Sequence, residues 1–175
     1  MEVVVFQQTA AIEGKFHLMT IDGVVAYDPK LGKWDAVGRG LRWHMYPGGC
    51  CEIDKVLYSC SAAASTDEKV EVVLVWYDSK ERTWRDVVGL VRLPKLTRKS
   101  NVRVAEYGGK MGVMWEEESF LFFPWGGSFK KKIWCAEIKL ERRNSCEIWG
   151  EVDWLDHVLT IPATLKLGKV LAVTV

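Results

Sequence analysis

Hydrophobic and β-branched residues along this chain fall into short runs of strand length, and polar or glycine-containing segments separate them. Examples of these runs are EVVVF (2–6), KFHLMTI (15–21), EVVLVWY (71–77), KKIWCAEI (131–138) and KVLAVTV (169–175). The separating segments carry turn formers, as in IDG, YPGG, YGG and PWGG. No segment keeps an apolar stripe at helical spacing over three turns between two caps. The pattern therefore predicts an all-β fold.

Four of the runs begin in the same way, with a turn former and a lysine directly before the apolar residues. These pairs are Gly14-Lys15, Asp54-Lys55, Gly109-Lys110 and Gly168-Lys169. Because one local pattern recurs along the chain, it predicts an internal repeat.

A second pattern follows the first two of these starts. A run ends in Tyr-Asp, and a tryptophan stands six residues after the aspartate, in YDPKLGKW (27–34) and YDSKERTW (77–84). The third copy is looser, with WCAEI (134–138) and Trp149 in the corresponding places. Trp34 and Trp84 are 50 residues apart, and a period near fifty with four strands per unit is typical of a β-propeller.

The repeat divides a single domain, residues 1–175, into propeller blades, which are small four-stranded antiparallel sheets. Their predicted limits are roughly 8–37, 48–88 and 100–152, with a partial blade over 157–175 that takes the N-terminal strand 2–6. We expect Trp34 and Trp84 to fill the gaps between neighbouring blades. About three and a half blades are fewer than the usual four to eight, so self-association through open propeller edges is a further expectation.

The Gly-Lys strand start, the YDPKLGKW turn and the C-terminal stretch WGEVDW…VLTIPATLKLGKVLAVTV together resemble the kelch repeat. More narrowly, they are similar to the C-terminal part of plant F-box/kelch-repeat proteins, over nearly the whole chain. TID, CSA and EEE stand where the kelch repeat usually has Gly-Gly after its second strand. The resemblance implies a kelch-type β-propeller fragment that acts as a non-catalytic protein-interaction module. It also implies a protein substrate or regulatory partner and a link to ubiquitin-ligase components, although no F-box segment is recognisable in these residues.

Propeller topology sorts the loops by face, because consecutive strands of a blade reverse direction. The second-to-third loop of each blade and the connections between blades share one face, where recognition residues tend to lie. This loop face collects GRGLRWHMYPGG (38–49), SAAASTDEK (61–69), GLVRLPKLTRKS (89–100) and EEESFLFFPWGGSFKKK (116–132).

Two groups on the loop face are predicted to bind a partner. An apolar anchor at a loop tip consists of Phe122, Phe123 and Trp125. A mixed aromatic and polar group, suited to stacking and hydrogen bonding, consists of Arg42, Trp43, His44 and Tyr46. Two alternatives stay open: the phenylalanines fold down onto the core, and Trp43 packs between blades.

The connection after the second predicted blade is basic and carries Arg92, Lys95, Arg98 and Lys99. Such a patch could meet an acidic peptide or a phosphate. The alternative is a basic loop that is merely solvated.

Charge and cysteine content narrow the partner class and the compartment. The formal net charge is +1, so no global basic field favours nucleic acid. No apolar run is long enough for a signal peptide or a membrane span. Five cysteines without a CxxC pair indicate reduced thiols. We therefore expect an intracellular protein, in cytoplasm or nucleus, that binds neither nucleic acid nor a membrane.

Motifs that carry catalysis are absent from the sequence. The three histidines have no HxH or HExxH spacing, and no GxSxG, P-loop or GxGxxG occurs. The sequence thus predicts no enzymatic activity, no cofactor and no metal. The alternative reading is a small-molecule or metal-binding propeller enzyme that uses Arg42, His44 and the aromatic loop on the axial loop face.

Overall fold

The computed structural model describes residues 9–12, 14–20, 23–38, 41, 49–62, 70–124, 126–168 and 170. Within these ranges the chain forms β-strands and one short 3-10 turn at Arg98–Ser100, and it contains no α-helix. The strands are β1 (Thr9–Ile12), β2 (Lys15–Met19), β3 (Val24–Asp28), β4 (Lys33–Gly38), β5 (Cys50–Ile53), β6 (Val56–Ala62), β7 (Glu71–Asp78), β8 (Thr83–Val88), β9 (Leu96–Thr97), β10 (Arg103–Tyr107), β11 (Lys110–Phe123), β12 (Gly126–Asn144) and β13 (Glu147–Pro162).

The strands form three antiparallel, four-stranded blades. The first blade is the sheet β1-β2-β3-β4. The second blade, β5 to β8, and the third blade, β10 to β13, join into one nearly closed sheet in the order β10-β11-β12-β13-β8-β7-β6-β5. Their outer strands meet in a short parallel contact between β8 and β13, and β10 lies against β5 at the other edge.

Two apolar clusters join the blades face to face. The larger cluster lies between the second and third blades and includes Trp76, Met111 and Ile138. The smaller cluster lies between the first and second blades, where Tyr77 and Trp84 pack against Ile12, Val24, Leu41 and Leu57. Because a single blade cannot bury its own faces, this serial packing supplies the core. The architecture is a β-propeller fragment, as the sequence predicted.

The turns between the first two strands of each blade explain the recurring lysine. Gly108 and Gly109 connect β10 to β11 with φ of +58° and +79°, which fits a two-residue hairpin turn of type I′. Asp54 and Lys55 connect β5 to β6 with φ of +49° and +64°. Lys55 therefore lies in the turn, whereas Lys110 is the first residue of its strand. The repeat is real, but its second copy is shifted by one residue from the Gly-Lys alignment.

The two repeat tryptophans make the same contact with a tyrosine of their own blade but differ in how far they are exposed to solvent. The Tyr27 and Trp34 rings lie 4.9 Å apart, and the Tyr77 and Trp84 rings lie 5.2 Å apart. Trp84 packs between the first and second blades, as predicted. Trp34 is 57% exposed, so the expectation that it fills a gap between blades is wrong for this chain.

The third copy of the motif also closes differently. Trp149 pairs with Glu141, nearer the turn, while Val152 pairs with Ile138. Met111 pairs with the same Ile138 on the other side. In the first blade the equivalent paired residues are Phe16, Tyr27 and Trp34. In the third blade Val152, and not Trp149, therefore occupies the position equivalent to Trp34.

The predicted partial blade falls largely outside the described residues. Strand 2–6 and residues 171–175 are not described, and residues 157–162 continue β13 of the third blade.

Candidate partner-binding groove and hairpin tip

The segment expected to be a loop at 116–132 forms the distal half of a long β-hairpin. Strands β11 and β12 stay paired from Met111–Ile138 out to Phe123–Gly126. β10 covers the other edge of β11 only as far as Met114. Beyond that point the linker between the second and third blades lies beside β11, and the two leave a groove of about 480 Å³ between them.

The linker reaches this position because it pairs with the second blade. Leu96 and Thr97 of β9 lie opposite Val72 and Glu71 at the start of β7. The start of β7 and the linker therefore share one side of the molecule, as the loop-face argument requires. The residues lining the groove are Arg92, Pro94, Lys95, Leu96, Thr97, Lys99, Ser100, Trp115, Glu116, Glu117, Glu118, Trp134 and Leu155.

Two stacked tryptophans form one wall of the groove. The Trp115 and Trp134 rings are nearly parallel, with centroids 6.4 Å apart. Trp115 is buried and Trp134 is half-buried. The Trp134 Nε1–H donates to Glu117 Oε2 at 2.6 Å, which fixes the orientation of the indole. A fixed, partly exposed aromatic surface of this kind suits contact with a protein side chain.

Charges of both signs line the groove. Lys95 and Lys99 come from the linker, and Glu117 and Glu118 come from β11. Arg92 Nη1 donates to the Val152 carbonyl oxygen at 2.8 Å and ties the linker to β13. The groove can therefore offer both donors and acceptors to an extended polar segment.

A buried polar network lies beneath the groove. Glu116 pairs with Lys131 at 2.9 Å and accepts a hydrogen bond from Asn101 Nδ2 at 2.6 Å and another from the Leu167 N–H. Burial by itself would raise the pKa of Glu116, but the hydrogen bonds from Leu167, Asn101 and Lys131 outweigh it and hold the pKa below its ordinary value. Lys131 Nζ also donates to the Leu165 carbonyl oxygen at 2.9 Å. The network fastens the C-terminal segment to the third blade beside the groove.

The tip of the hairpin presents phenylalanines to solvent. Phe122 is 85% exposed, and Phe129 is 65% exposed. The Phe120 ring lies 4.5 Å from Phe122 and 4.7 Å from Phe129, in edge-to-face arrangements. A Cβ at Gly127 would overlap the Phe120 ring, so the glycine lets that ring lie flat on the strand. These three rings, Phe120, Phe122 and Phe129, are called the phenylalanine tip below.

The structure covers only part of the predicted site. Phe122 is exposed at the tip, while Trp125 and the side chain of Phe123 lie outside the described residues. The predicted group Arg42, Trp43, His44 and Tyr46 also lies outside them. Of the basic linker residues, Arg92, Lys95 and Lys99 line the groove, and Arg98 lies in the 3-10 turn.

Sequence reasoning missed the tryptophan pair and its glutamate. Trp115 and Trp134 stand in strand-like runs, where an aromatic residue is usually core, and they are directly opposite each other in the register. Glu117 lies in the acidic stretch 116–118, and its strand partner is Lys132. A cross-strand alignment of 115–118 with 131–134 was the signal that could have found the pair.

Chemistry-bearing groups are sparse in the described part of the chain. Among those residues no group of three or more His, Cys, Asp or Glu side chains is placed to hold a metal ion. All five cysteines are free thiols, and burial raises the pKa of Cys51 and Cys135. In the same residues, no helix has the length and apolar character needed to cross a membrane.

The fold and the site together define a β-propeller fragment with a groove and an aromatic hairpin on its loop face. The FKB95 kelch-repeats domain family model matches residues 2–159. The chain therefore belongs to the kelch-repeat family.

Its relatives include F-box/kelch-repeat proteins of Arabidopsis thaliana. The F-box/kelch-repeat protein At5g38670 is 43% identical over 163 residues, which is 93% of this chain and 52% of that protein. The F-box/kelch-repeat protein At4g39580 is 42% identical over 172 residues, which is 96% of this chain and 41% of that protein. The chain thus spans about half the length of the curated relatives it matches, or less.

Proposed function

We propose that this chain is a non-catalytic protein-interaction domain that binds its partner through the groove and the phenylalanine tip. The observation that carries the proposal is that both features lie on one hairpin of the loop face. Trp134 and Glu117 stand at the groove, and Phe122 is 85% exposed at the end of the same two strands. Exposed aromatic clusters next to polar grooves are typical of protein-binding surfaces.

The chemistry of the groove favours an extended peptide segment with mixed character. An acidic side chain would meet Lys95, and an apolar side chain would rest on the half-buried Trp134 indole. The phenylalanine tip would then hold a second apolar side chain outside the groove. A partner that uses both features buries the aromatic anchors in its centre and leaves the charges at the rim.

The relatives suggest what such binding is for. Because they are F-box/kelch-repeat proteins by name, we extend the proposal to a substrate-recognition role like that of ubiquitin-ligase receptors. The partner would then be a ligase substrate or regulator in the cytoplasm or nucleus. Whether ligase components themselves bind this chain is a separate part of the proposal.

The test is affinity capture from an extract of the organism that encodes the chain, with the wild type and a Phe122→Ser, Phe129→Ser double variant. We expect the capture of a specific partner to fall roughly tenfold or more in the variant, because exposed aromatic anchors dominate such interfaces. Leu31→Ser is the matched control, since Leu31 is 68% exposed in a turn of the first blade.

The outcomes separate the parts of the proposal. Capture that is unchanged in the double variant, with melting temperatures unchanged, contradicts binding through the tip. Loss of capture in Lys95→Glu as well locates the acidic contact in the groove. A partner that is recovered without any cullin adaptor keeps the interaction role and contradicts only the binding of ligase components by this chain.

A further inference from the structure

One face of the first blade is apolar and partly exposed to solvent. Strand alternation and register put Phe16, Leu18, Val25, Tyr27 and Trp34 on this face, with Phe16 opposite Tyr27 and Tyr27 opposite Trp34. Phe16 is 53% exposed, and Trp34 is 57% exposed. These five residues are called the Trp34 face.

The second blade carries the same face, but there it is covered. Phe16 and Leu57 are each the second residue of the second strand of their blade, and Trp34 corresponds to Trp84. Leu57 is 1% exposed, and Trp84 is half-buried against the cluster that contains Ile12 and Val24 of the first blade. The first blade therefore covers this face of the second blade. Among the described residues, no blade covers the equivalent face of the first blade.

The third blade repeats this relation. Met111 corresponds to Phe16, and Val152 corresponds to Trp34, and they are 0% and 3% exposed. Both belong to the cluster between the second and third blades. Each later blade buries this face against the blade before it, so the Trp34 face has the form of a surface that receives another blade.

The interface between the first and second blades shows which residues a blade uses to cover such a face. On the first blade, Ile12, Met19 and Val24 take part in the cluster against which Trp84 packs. Their equivalents on the third blade are Tyr107, Met114 and Cys135, which face away from the core cluster. Tyr107 is 56% exposed, and Met114 and Cys135 are half-buried. These three residues are called the Tyr107 face.

The ion pairs of the two blades correspond as well. Lys15 lies 3.7 Å from Asp35 on the first blade, and Lys110 lies 3.0 Å from Asp153 on the third. Each lysine begins the second strand of its blade. Each aspartate directly follows the residue at the Trp34 position, which is Trp34 itself in the first blade and Val152 in the third. The outer face of the third blade thus repeats the polar pattern of the first, as well as its apolar positions.

We infer that two copies of this chain associate, with the Trp34 face of each copy on the Tyr107 face of the other. A two-fold axis satisfies both faces of both copies at once, which makes a closed assembly. Two copies contribute six four-stranded blades, a number within the usual range of four to eight for a closed propeller. Strand alternation puts Met114 and Cys135 on the opposite side of the hairpin from Trp115 and Trp134, so the contact does not use the tryptophan wall of the groove.

The test measures the mass of the full chain in solution by sedimentation equilibrium across a roughly hundredfold concentration range. We expect twice the chain mass of 19.9 kDa for the wild type. Trp34→Glu and Tyr107→Glu should each give the single-chain mass, since either charge lies in both interfaces of the symmetric pair. Val91→Ser, a change at a residue that is 92% exposed in the connection between the second and third blades, should leave the pair intact.

Mixing the two variants gives the sharper result. One Trp34→Glu chain and one Tyr107→Glu chain retain a single intact interface between them, so the mixture should form a mixed pair that neither variant forms alone. Phe16→Glu should reproduce Trp34→Glu in both experiments if the latter folds poorly. If the wild type has the mass of a single chain at every concentration, the inference is overturned. It is also overturned if Trp34→Glu and Tyr107→Glu each still form a pair.

Discussion

At the scale of single residues, the aspartate of each Tyr-Asp pair holds the turn that follows it. Asp78 Oδ1 accepts hydrogen bonds from the backbone N–H groups of Lys80 at 3.2 Å and Glu81 at 3.3 Å. Its Oδ2 accepts one from Arg85 Nε at 2.9 Å. Asp28 makes the same two turn bonds in the first blade. The motif recurs because a short acceptor at this position satisfies the turn's backbone donors.

This role makes the stability of the protein depend on pH in a defined direction. The hydrogen bond from Arg85, together with those from Glu81 and Lys80, holds the pKa of Asp78 below its ordinary value of 3.8. Because the pKa of Asp78 is lower in the folded protein than in the unfolded chain, its charged form stabilises the fold at pH values above the unfolded-state pKa. This stabilisation is lost as the pH falls through the pKa of the folded state.

We therefore expect Asp78→Asn to lower the urea midpoint at about pH 7, with the difference from wild type shrinking towards about pH 3. Parallel urea unfolding curves measure this difference. Glu71→Gln, at the exposed start of the same strand, is the control and should show little difference at either pH. A deficit in Asp78→Asn that stays constant with pH would mean that charge is not the cause.

At the scale of elements, two glycines with left-handed backbone serve different purposes. Gly108 (φ +58°) lies in the β10–β11 turn, where no described atom is within 4 Å of the position of a Cβ. Gly89 (φ +88°) follows β8, and a Cβ there would overlap the Trp149 indole of β13. Gly89 thus admits the tryptophan that packs where the outer strands of the second and third blades meet.

We expect Gly89→Ala to destabilise the protein by about 2–4 kcal/mol and Gly108→Ala by only about 1 kcal/mol, because the second change adds backbone strain without a clash. Urea unfolding of the two variants side by side measures the difference. Equal losses would show that Trp149 moves aside without cost.

The β11–β12 hairpin shows where element prediction failed. Gly126, Gly127 and Pro124 are turn formers, so the sequence around them indicated a loop from 116 to 132. The structure confines the turn to a few residues and keeps the strands paired out to Phe123 and Gly126. Cross-strand pairing of Glu118 with Lys131, and the phenylalanine contacts beyond it, extend the ladder. Turn composition located the bend but not the length of its strands.

At the scale of the whole molecule, the C-terminal segment is tied back to the middle of the chain. The Leu167 N–H donates to Glu116, and Asn101 Nδ2 donates to the Leu167 carbonyl oxygen at 3.0 Å. Arg103 Nε donates to the Gly168 carbonyl oxygen at 3.2 Å. Residues 165–168 form no strand, so these bonds hold the segment against the third blade.

We expect Glu116→Ala to speed amide hydrogen exchange at Leu167 by roughly tenfold or more, because the amide loses its acceptor and a buried partner of Lys131 disappears. Exchange followed by mass spectrometry or nuclear magnetic resonance measures the effect. Glu118→Ala, exposed on the same strand, should leave Leu167 unchanged. If Leu167 stays protected in Glu116→Ala, other contacts hold the segment.

Some of the candidate site followed from the sequence, and some did not. The basic linker and Phe122 were found because a loop between repeats and an apolar run beside turn glycines are visible in sequence. Trp115 and Trp134 were not, because each looks like a core residue until the register brings their rings together. The groove exists only because the linker pairs with β7 and then passes beside β11.

The sequence by itself determined the all-β composition, the repeat and the turns, because alternation and turn chemistry act over a few neighbouring residues. It could not determine that Trp84 is covered and Trp34 is exposed, since both stand in nearly the same local motif. That difference depends on whether another blade lies opposite, and such contacts join residues tens of positions apart in the chain. The tertiary structure alone decided which faces are buried and which are exposed.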